Sequence, residues 1–400
     1  MKKGQRKTEF IESIMEVVRI VAGMAIAYAV ALLILILISD DPIFIVKQFI
    51  LGPFTSLRRI GSIFNLATPL IICGIAMCFM YAVNKFNLIG ESIFMISACA
   101  ATFVGLQIGN SLPMVIMVPL LMLVGAIVGI ILAYIPAIMD RKLNANVVVV
   151  SLMLNSVIAQ LTVWFLRYHM RDTKLSYLGS PVIPENMQLP SMLGGLKVNA
   201  GILIALVIVI IVSILFFKTS FGWKIRLVGS NPRFSRAVGL STLGISFAAQ
   251  LLSGAIAGVG GAVEIMNSYK RFQWIATTGH GFDGMVVAVL ARKNPILVPI
   301  GALFLAYIRI GADVVSTSGD IPSEFITVIQ GIIILLVAAE SFLSGTKKKL
   351  IYKSVEKEEA EKRALAAAEK VEEPQKETET VTEEYKAPDG VVDTPEEEVK

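Results

Sequence analysis

Charged residues and histidine are scarce in this 400-residue sequence. Charged side chains make up 17% of it, hydrophobic residues make up 55%, and there are two histidines. Soluble globular proteins carry about 25% charged and about 45–50% apolar residues. Several runs here are almost free of charge and approach the length of about 20 residues that crosses a bilayer. The composition therefore predicts a polytopic membrane protein and excludes both an ordinary cytosolic enzyme and a disordered chain.

Residues that bind metals are too few to make a site. The three cysteines, Cys73, Cys78 and Cys99, all lie in apolar stretches, and no second pair of cysteines completes a zinc pattern. His169 and His280 are isolated from each other along the chain. We therefore expect no metal and no cofactor, and we expect the cysteines to be small buried side chains.

Motifs of catalysis are also missing from the sequence. There is no phosphate-binding loop, because Ser344-Gly345-Thr346-Lys347 lacks the first glycine and the hydroxyl after the lysine. There is no His-Glu-x-x-His motif, no nucleophile elbow and no Ser/His/Asp set. The chain is therefore predicted not to be an enzyme. The glycines of two apolar runs have the spacing of closely packed membrane helices rather than of a nucleotide loop: Gly125, Gly129, Gly254, Gly258, Gly260 and Gly261.

Ten apolar segments are candidate membrane spans, so the predicted fold class is all-α. They lie near 20–39, 61–84, 88–108, 113–138, 147–167, 200–217, 243–264, 282–293, 295–316 and 324–343. The eighth is too short to cross as a regular helix and predicts a broken segment that is shielded by protein. Residues 1–19 are predicted to form a cytosolic, interfacial N-terminus. The long loop at 168–199, rich in proline and glycine, is predicted to be turn-rich rather than helical.

The distribution of charge predicts the orientation. With the N-terminus inside, the inner segments hold 18 Lys and Arg residues and the outer loops hold nine, which favours N-in and C-in. Residues 347–400 hold 11 basic and 16 acidic residues, and the rest of the chain holds 25 and 15. The overall charge of +5 is therefore the average of a basic membrane body and an acidic tail, so it does not indicate nucleic-acid binding. The tail, 345–400, is predicted to be cytosolic and partly disordered.

The inner loop at 218–240 is the most informative polar segment. It contains five basic residues and no acidic residue. Asn231-Pro232 is typical of a helix start, with Asn231 as the N-cap and proline at the first helical position. Gly239 is then expected to end a helix of about two turns. Such a short basic helix suits the docking of a soluble partner, but the same charges also suit a simple topological anchor.

Residues 221–240 and 252–261 also carry a resemblance to a known family. Phe221-Gly222-Trp223-Lys224-Ile225-Arg226, continuing through Asn231-Pro232 to Gly239-Leu240, resembles the cytosolic coupling segment of ABC-importer permeases. The branch is the one that serves ribose and other simple sugars, nucleosides and branched-chain amino acids. Leu252 to Gly261 is similar to the span that follows, and Gly279 to Pro295 is similar to the nucleoside (guanosine-type) permeases in particular. In the first half, Phe86-Asn87-Leu88 with Glu91, and Ser151 to Asn155, resemble further family elements.

This resemblance implies a function and a set of partners. Residues 20–344 would be the transmembrane domain of an ABC importer in the bacterial cell membrane, translocating nucleosides or simple sugars. A separate ATPase subunit would dock on the coupling loop 218–240, where the resemblance assigns Trp223, Arg226, Asn231, Arg233, Arg236 and Gly239. An extracytoplasmic substrate-binding lipoprotein and a second permease subunit, in a homodimer or a heterodimer, would complete the complex in the lipid membrane.

Polar residues at membrane depth are the candidates for the substrate pathway. A charge near the bilayer centre costs about 2.5–3.5 kcal/mol on insertion, so such residues face the protein interior or a cavity. Amides and carboxylates suit sugar hydroxyls, and aromatic faces suit a base. The candidates are Asn87, Glu91, Asn155, Phe282 and Asp283, with Phe86 and Trp274 as further aromatic faces. Each could instead cap a helix end or bridge two spans. Arg309 and Asp313, four residues apart, are predicted to form an ion pair within one helix.

One alternative of a different class stays open. A stand-alone, ion-coupled secondary transporter would also have broken helices and buried carboxylates, for which Glu91 and Asp283 are candidates. The basic inner loop argues against it. Dependence on an ATPase subunit distinguishes the two functions.

Overall fold

The computed structural model describes residues 41–193 and 195–318, together with a few single residues outside these ranges. The α-helices are α1 Pro42–Leu51, α2 Leu57–Ala82, α3 Gly90–Ile108, α4 Met114–Leu143, α5 Val147–Phe165, α6 Gly201–Lys218, α7 Ser220–Ser230, α8 Pro232–Ala237, α9 Thr242–Ser268, α10 His280–Leu290 and α11 Val298–Ser318. Short 3-10 turns lie at Gly52–Phe54 and Glu185–Met187, and a π-helical turn, Leu166–Met170, extends α5.

Seven of the described helices are long and apolar enough to cross a membrane: α2, α3, α4, α5 with its π-helical turn, α6, α9 and α11. They coincide with seven of the spans predicted from the sequence. The mostly helical fold class is therefore confirmed. The predicted spans at 20–39 and 324–343, apart from single residues, lie outside the described residues, as do the N-terminus 1–19 and the tail 345–400. The count of about ten spans and the N-in/C-in orientation stay predictions.

The eighth predicted segment is a short helix. The apolar run predicted at 282–293 forms α10, whose 11 residues extend about 16 Å at 1.5 Å per residue. That is about half of the hydrocarbon thickness of about 30 Å. Irregular backbone from Tyr269 to Gly279 precedes α10, and Arg292 and Lys293 follow it with positive φ angles of 52° and 65°. The broken character of this segment is therefore as expected.

Helix α1 was not predicted from the sequence. Asp41 caps it, since its side chain accepts a hydrogen bond of 3.3 Å from the Phe44 N–H, and Pro42 occupies the first turn. Ile45 and Phe49 are its buried residues, and they pack in a cluster with Ile308 and Ala312 of α11. The helix has only ten residues, and hydropathy does not distinguish an apolar run of that length from a loop.

Helix α9 is central to the described bundle and packs against α2, α3 and α4. Its contact with α4 depends on glycine. A Cβ at Gly125 would lie 2.5 Å from the backbone oxygen of Gly258, and a Cβ at Gly258 or Gly129 would overlap backbone oxygens of the facing helix. The predicted close packing of these glycine runs is confirmed. Cys73, Cys78 and Cys99 are free and buried, as expected.

The loop between α5 and α6 holds no α-helix among its described residues. It contains a short antiparallel pair, β1 Ser191–Leu193 and β2 Val198–Asn199. Three of its N–H groups donate to the backbone at and after the end of α9: Ser180 to Phe272, Ile183 to Lys270 and Leu189 to Met266, at 2.9 to 3.0 Å. These hydrogen bonds hold the turn-rich loop predicted at 168–199 against the end of α9.

Candidate functional site

Glu91 holds the start of the short helix α10. Its Oε1 accepts a hydrogen bond from the Gly279 N–H at 2.6 Å, and its Oε2 accepts one from the Gly281 N–H at 2.7 Å. Longer bonds of 3.4 Å come from the Phe282 N–H and the Thr278 hydroxyl. The first N–H groups of a helix lack partners within the helix and carry a partial positive charge. At membrane depth no bulk water replaces them, so the buried carboxylate does.

Two glycines permit this contact. A Cβ at Gly281 would lie 2.5 Å from the backbone nitrogen of Glu91, and a Cβ at Gly284 would lie 2.5 Å from the Cβ of Cys73. Gly279, with φ +81°, turns the chain into the helix. The Gly-rich sequence of this segment is therefore required for the close approach of α10 to α3 and α2.

Asp283 is paired with Arg309. The Arg309 guanidinium lies 2.6 Å from Oδ1 of Asp283, which is 3% exposed. The predicted pair between Arg309 and Asp313 is wrong, because their side chains do not come within 4.0 Å of each other in this structure. Arg309 therefore pairs with Asp283 of α10, which is buried, and not with Asp313, which lies one turn along α11 and is exposed. A buried charge gains more from a close partner than an accessible one does.

Asn155 ties α5 to the start of α3. Its Nδ2 donates to the Leu88 carbonyl at 2.8 Å, and its Oδ1 accepts from the Ser92 hydroxyl at 2.7 Å. Both ends of the amide are therefore used within the protein. In this conformation Asn155 acts as a bridge between two spans.

Asn87 begins a chain of polar contacts that leads to the protein surface. Its Nδ2 donates to Gln250 Oε1 at 3.0 Å, and Gln250 Nε2 donates to Asp140 Oδ2 at 3.3 Å. Asp140 Oδ1 in turn pairs with Lys85 Nζ at 2.7 Å. We call Lys85, Asp140, Gln250 and Asn87 the polar chain. It connects the loop after α2 with α4 and α9.

A small cavity lies beside the polar chain. Asn87 and Gln250 line it together with Cys73, Met77, Ser253 and Gly281. Its free interior is about the size of one water molecule. A sugar or nucleoside does not fit in this space.

The predicted aromatic faces are in different environments. Phe282 and Phe86 are 41% and 48% exposed, so their rings are accessible. Trp274 is buried and stacks on Phe94, with ring centroids 5.7 Å apart. Its face is therefore already occupied. Phe282 contributes its backbone N–H to the Glu91 cap, and its ring does not face the small cavity.

The predicted coupling segment folds as two consecutive short helices, α7 and α8. Asn231 caps α8, with Oδ1 accepting from the Phe234 N–H at 3.0 Å, and Pro232 is the first helical residue. Gly239 ends the segment with φ +80°. The local structure predicted from Asn231-Pro232 and Gly239 is confirmed, although α7 itself was not predicted.

Most of the residues assigned to docking are exposed on the consecutive helices α7 and α8 or directly beside them. Trp223, Arg233 and Arg236 are exposed. Arg226 differs, because its guanidinium lies over the rings of Phe216 and Phe217, 5.5 and 5.2 Å from their centroids. Arg226 therefore fixes α7 onto the end of α6 rather than facing outward. Their roles in docking stay predictions.

Sequence reasoning missed two apolar members of this surface. Phe234 and Val238 are each 51% exposed. Their spacing of four residues across a short basic helix is the signal that would have found them. We call Trp223, Arg233, Phe234, Arg236 and Val238 the docking patch. Large apolar side chains beside cations are typical of protein–protein contacts.

The docking segment is joined to the spans by a further contact. The side chain of Asn84, in the turn after α2, donates to the Gly229 carbonyl of α7 at 2.5 Å. Asn84 has a positive φ of 53° and directly precedes Lys85 of the polar chain. The docking patch and the polar chain therefore lie at the same end of the bundle.

Comparison with known families decides the class of the protein. Residues 59–338 match the family described as "Branched-chain amino acid transport system / permease component". The chain belongs to this family of ABC transporter permeases. The permease is accordingly a multi-pass protein of the bacterial plasma membrane, and it is the membrane subunit of its transporter rather than an enzyme. The resemblance stated from the sequence is confirmed.

Three relatives of the permease are named for the transport of glucose, guanosine or nucleosides. It is 28% identical over 326 residues to the glucose ABC transporter permease TsgB13 of Haloferax volcanii, covering 79% of this chain and 85% of the relative. It is 28% identical over 304 residues to the guanosine permease NupP of Bacillus subtilis, covering 74% and 87%. It is 25% identical over 329 residues to the nucleoside permease NupB of Lactococcus lactis, covering 80% and 89%.

Proposed function

We propose that this permease imports nucleosides, using ATP that a separate ATPase subunit hydrolyses on the face of the docking patch. The observation that carries the proposal is the docking patch itself, a set of exposed apolar and basic side chains on and beside α7 and α8, of which α7 is joined to the spans through Gly229 and Arg226. Two of the relatives named above, from Bacillus subtilis and Lactococcus lactis, are guanosine and nucleoside permeases. The glucose permease among the relatives makes simple sugars the second candidate.

The proposal fixes an orientation and a set of partners. The end that carries α7 and α8 faces the cytosol, which agrees with the excess of basic residues there. The opposite end, with the loop between α5 and α6, receives substrate from an extracytoplasmic binding lipoprotein. A second permease subunit completes the transporter.

Mechanically, contacts run from the docking patch to the pathway. Closure of the ATPase subunits on ATP would move α7 and α8. The Asn84 to Gly229 contact and the stack of Arg226 on Phe216 and Phe217 would pass this movement to α2 and α6. Rigid elements joined in this way transmit a displacement that flexible loops would absorb.

A charge-reversal variant tests the docking surface. We expect Arg233→Glu with Arg236→Glu to abolish co-purification of the ATPase, because both guanidinium groups are exposed on the docking patch. The membrane-inserted yield should be unchanged, since neither side chain is buried. Co-purification of the tagged permease with the ATPase, measured on detergent-solubilised membranes, is the readout.

The matched control reverses two arginines at the other end of the bundle. Arg167→Glu with Arg171→Glu makes the same change in charge on exposed residues near the end of α5. It should leave ATPase co-purification intact. Normal assembly of the Arg233→Glu, Arg236→Glu variant would refute the assignment of the docking patch.

A further inference from the structure

The polar chain has features that a purely structural bridge does not need. Asp140 is 7% exposed and lies in the last turn of α4, where the helix dipole disfavours a negative charge. Its burial is tolerated because Lys85 and Gln250 each donate to one of its oxygens, at 2.7 and 3.3 Å. A buried charge that loses its partner is strongly destabilising, so separating Asp140 from Lys85 and Gln250 would leave a buried carboxylate without its partners.

The polar chain also runs from solvent to the small cavity. The Lys85 side chain is 32% exposed at one end, whereas Asn87 and Gln250 at the other end are 3% and 1% exposed and line the cavity. Its members come from three separate parts of the fold: the loop after α2, the end of α4 and the first half of α9. The contacts of Lys85 with Asp140 and of Gln250 with Asp140 and Asn87 join these three parts, so the parts can move away from one another only when these contacts break.

We propose that the polar chain is the cytosolic closure of the translocation pathway, with Lys85 and Asp140 as positioning residues that hold Gln250 against Asn87. The inference rests on the proposed function, which places this end of the bundle in the cytosol. It assigns a role to Lys85, Asp140 and Gln250 in addition to Asn87.

The chemistry of the closure explains how substrate could replace it. The bond between Asn87 and Gln250 joins two amides, each of which both donates and accepts hydrogen bonds. An uncharged molecule with neighbouring hydroxyl or amide groups, such as a nucleoside, offers the same two functions. It can take over the bonds that the amides make to each other when the helices separate, so the opened groups are not left unpaired.

The position of the polar chain links the closure to the docking patch. Lys85 follows Asn84, whose side chain bonds to Gly229 of α7. The loop of Lys85 and Asn87 is held on its other side by α5, since the Leu88 N–H donates to the Ser151 hydroxyl at 3.0 Å. A displacement of α7 therefore pulls directly on the loop that carries two members of the chain.

The test is leakage of solute through the assembled transporter without ATP. The complete complex, with its ATPase and second permease subunit, is reconstituted in liposomes loaded with tritiated guanosine and carbon-14 ribose. We expect Asp140→Ala and Lys85→Ala each to accelerate efflux on the order of tenfold, since loss of one charged hydrogen bond shifts a closed–open equilibrium by about that factor. The double variant should leak no faster than Asp140→Ala alone, because Asp140→Ala already removes the bond to Lys85 together with the bond to Gln250.

Two further variants separate the closure from general damage. Lys85→Arg keeps a cation within reach of Asp140 and should restore efflux to the wild-type rate. Asp172→Ala breaks the comparable pair of Asp172 with Arg271, 3.0 Å apart at the opposite end of the bundle, and should not increase efflux. If both ion pairs only stabilised the fold, breaking either of them would change the efflux rate to the same extent.

The outcomes distinguish the closure from the proposed function. Wild-type-like efflux of both solutes from assembled Asp140→Ala and Lys85→Ala complexes would overturn the closure, whatever the substrate is. Equal leakage from Asp172→Ala would overturn it as well. Failure of the wild-type complex to transport guanosine with ATP would instead contradict the proposed substrate, while the efflux of ribose still reports on the closure.

Discussion

At the scale of single residues, Glu91 is the side chain on which the broken segment depends most. Both of its carboxylate oxygens accept backbone N–H groups at the start of α10, at 2.6 and 2.7 Å. Sequence reasoning selected Glu91 as a pathway residue because it is an acid at membrane depth. The structure adds a more local explanation, since the carboxylate accepts N–H groups at the buried start of a helix. Its part in the pathway stays a prediction.

The first prediction concerns this cap. Glu91→Gln replaces one acceptor oxygen by an NH2 group that faces a backbone N–H, so one buried donor is left unpaired. We expect the variant to lose about 1–3 kcal/mol of stability, which is the usual cost of an unsatisfied buried group. The melting temperature of the purified protein in detergent measures the loss. Glu185→Gln, the same change at an exposed carboxylate, is the control. Equal melting temperatures for both variants would contradict the cap.

A second prediction concerns Asp172, in the loop between α5 and α6. The Lys174 N–H donates to its carboxylate at 3.0 Å and Arg271 pairs with it, which together hold the pKa of Asp172 below its usual value. A lowered pKa stabilises the fold above the unfolded-state pKa of about 3.9, and this contribution is lost as the pH falls through the folded-state value.

The lowered pKa of Asp172 determines how the stability of the protein depends on pH. We expect Asp172→Asn to melt at a lower temperature than the wild type at pH 6, and the difference to shrink as the pH is lowered below about 4. Melting curves of both proteins across this range measure it. The difference should be small, because the pair is partly exposed to solvent. A difference that grows toward low pH would contradict the assigned interaction.

The incorrect pairing of Arg309 shows a limit of sequence reasoning at this scale. Spacing of four residues places Arg309 and Asp313 on one face of a helix, which is a sound local argument. A local argument cannot find Asp283, which is 26 positions away along the chain. The fold of α10 brings its Oδ1 to 2.6 Å from the Arg309 guanidinium. Gln250 was missed for the same reason, because its partners Asn87 and Asp140 are more than 100 positions distant.

At the scale of elements, the long apolar helices could be predicted and the short ones only in part. Hydropathy locates a span whenever the run approaches 20 residues, as in α2 to α6. Helix α8 was predicted despite its six residues, because Asn231-Pro232 and Gly239 mark its ends. Helices α1 and α7 were missed. Their packing against α11 and α6 is a tertiary contact, which local pattern does not encode.

The third prediction concerns the contact of α4 with α9. A Cβ at Gly258 would overlap the backbone oxygen of Gly125, whereas a Cβ at Gly90 would have no atom within 4 Å. We therefore expect Gly258→Ala to destabilise the protein by about 1–3 kcal/mol, as overpacking does. Gly90→Ala should be neutral or slightly stabilising, since alanine favours the helix. Thermal melting of both variants tests this contact. A neutral Gly258→Ala would show that the helices are not closely packed at this position.

At the scale of the whole molecule, the proposed transport depends on mechanical continuity between the docking patch and the pathway. Asn84 and Arg226 join α7 to the spans, and the polar chain continues from the neighbouring Lys85 to the small cavity. Composition predicted a membrane protein, and the basic inner loop suited a docking segment as well as a topological anchor until the family resemblance favoured docking. They did not predict this continuity, since every contact in it joins distant parts of the sequence.

The most direct test of the central claim is uptake of radiolabelled guanosine by cells that express this permease with and without its ATPase subunit. Our account predicts uptake that requires the ATPase, is competed by other nucleosides, and is not competed by leucine. Competition by ribose or glucose instead of nucleosides would favour the sugar alternative. Uptake that persists without the ATPase and collapses with the proton or sodium gradient would contradict the account and establish an ion-coupled transporter.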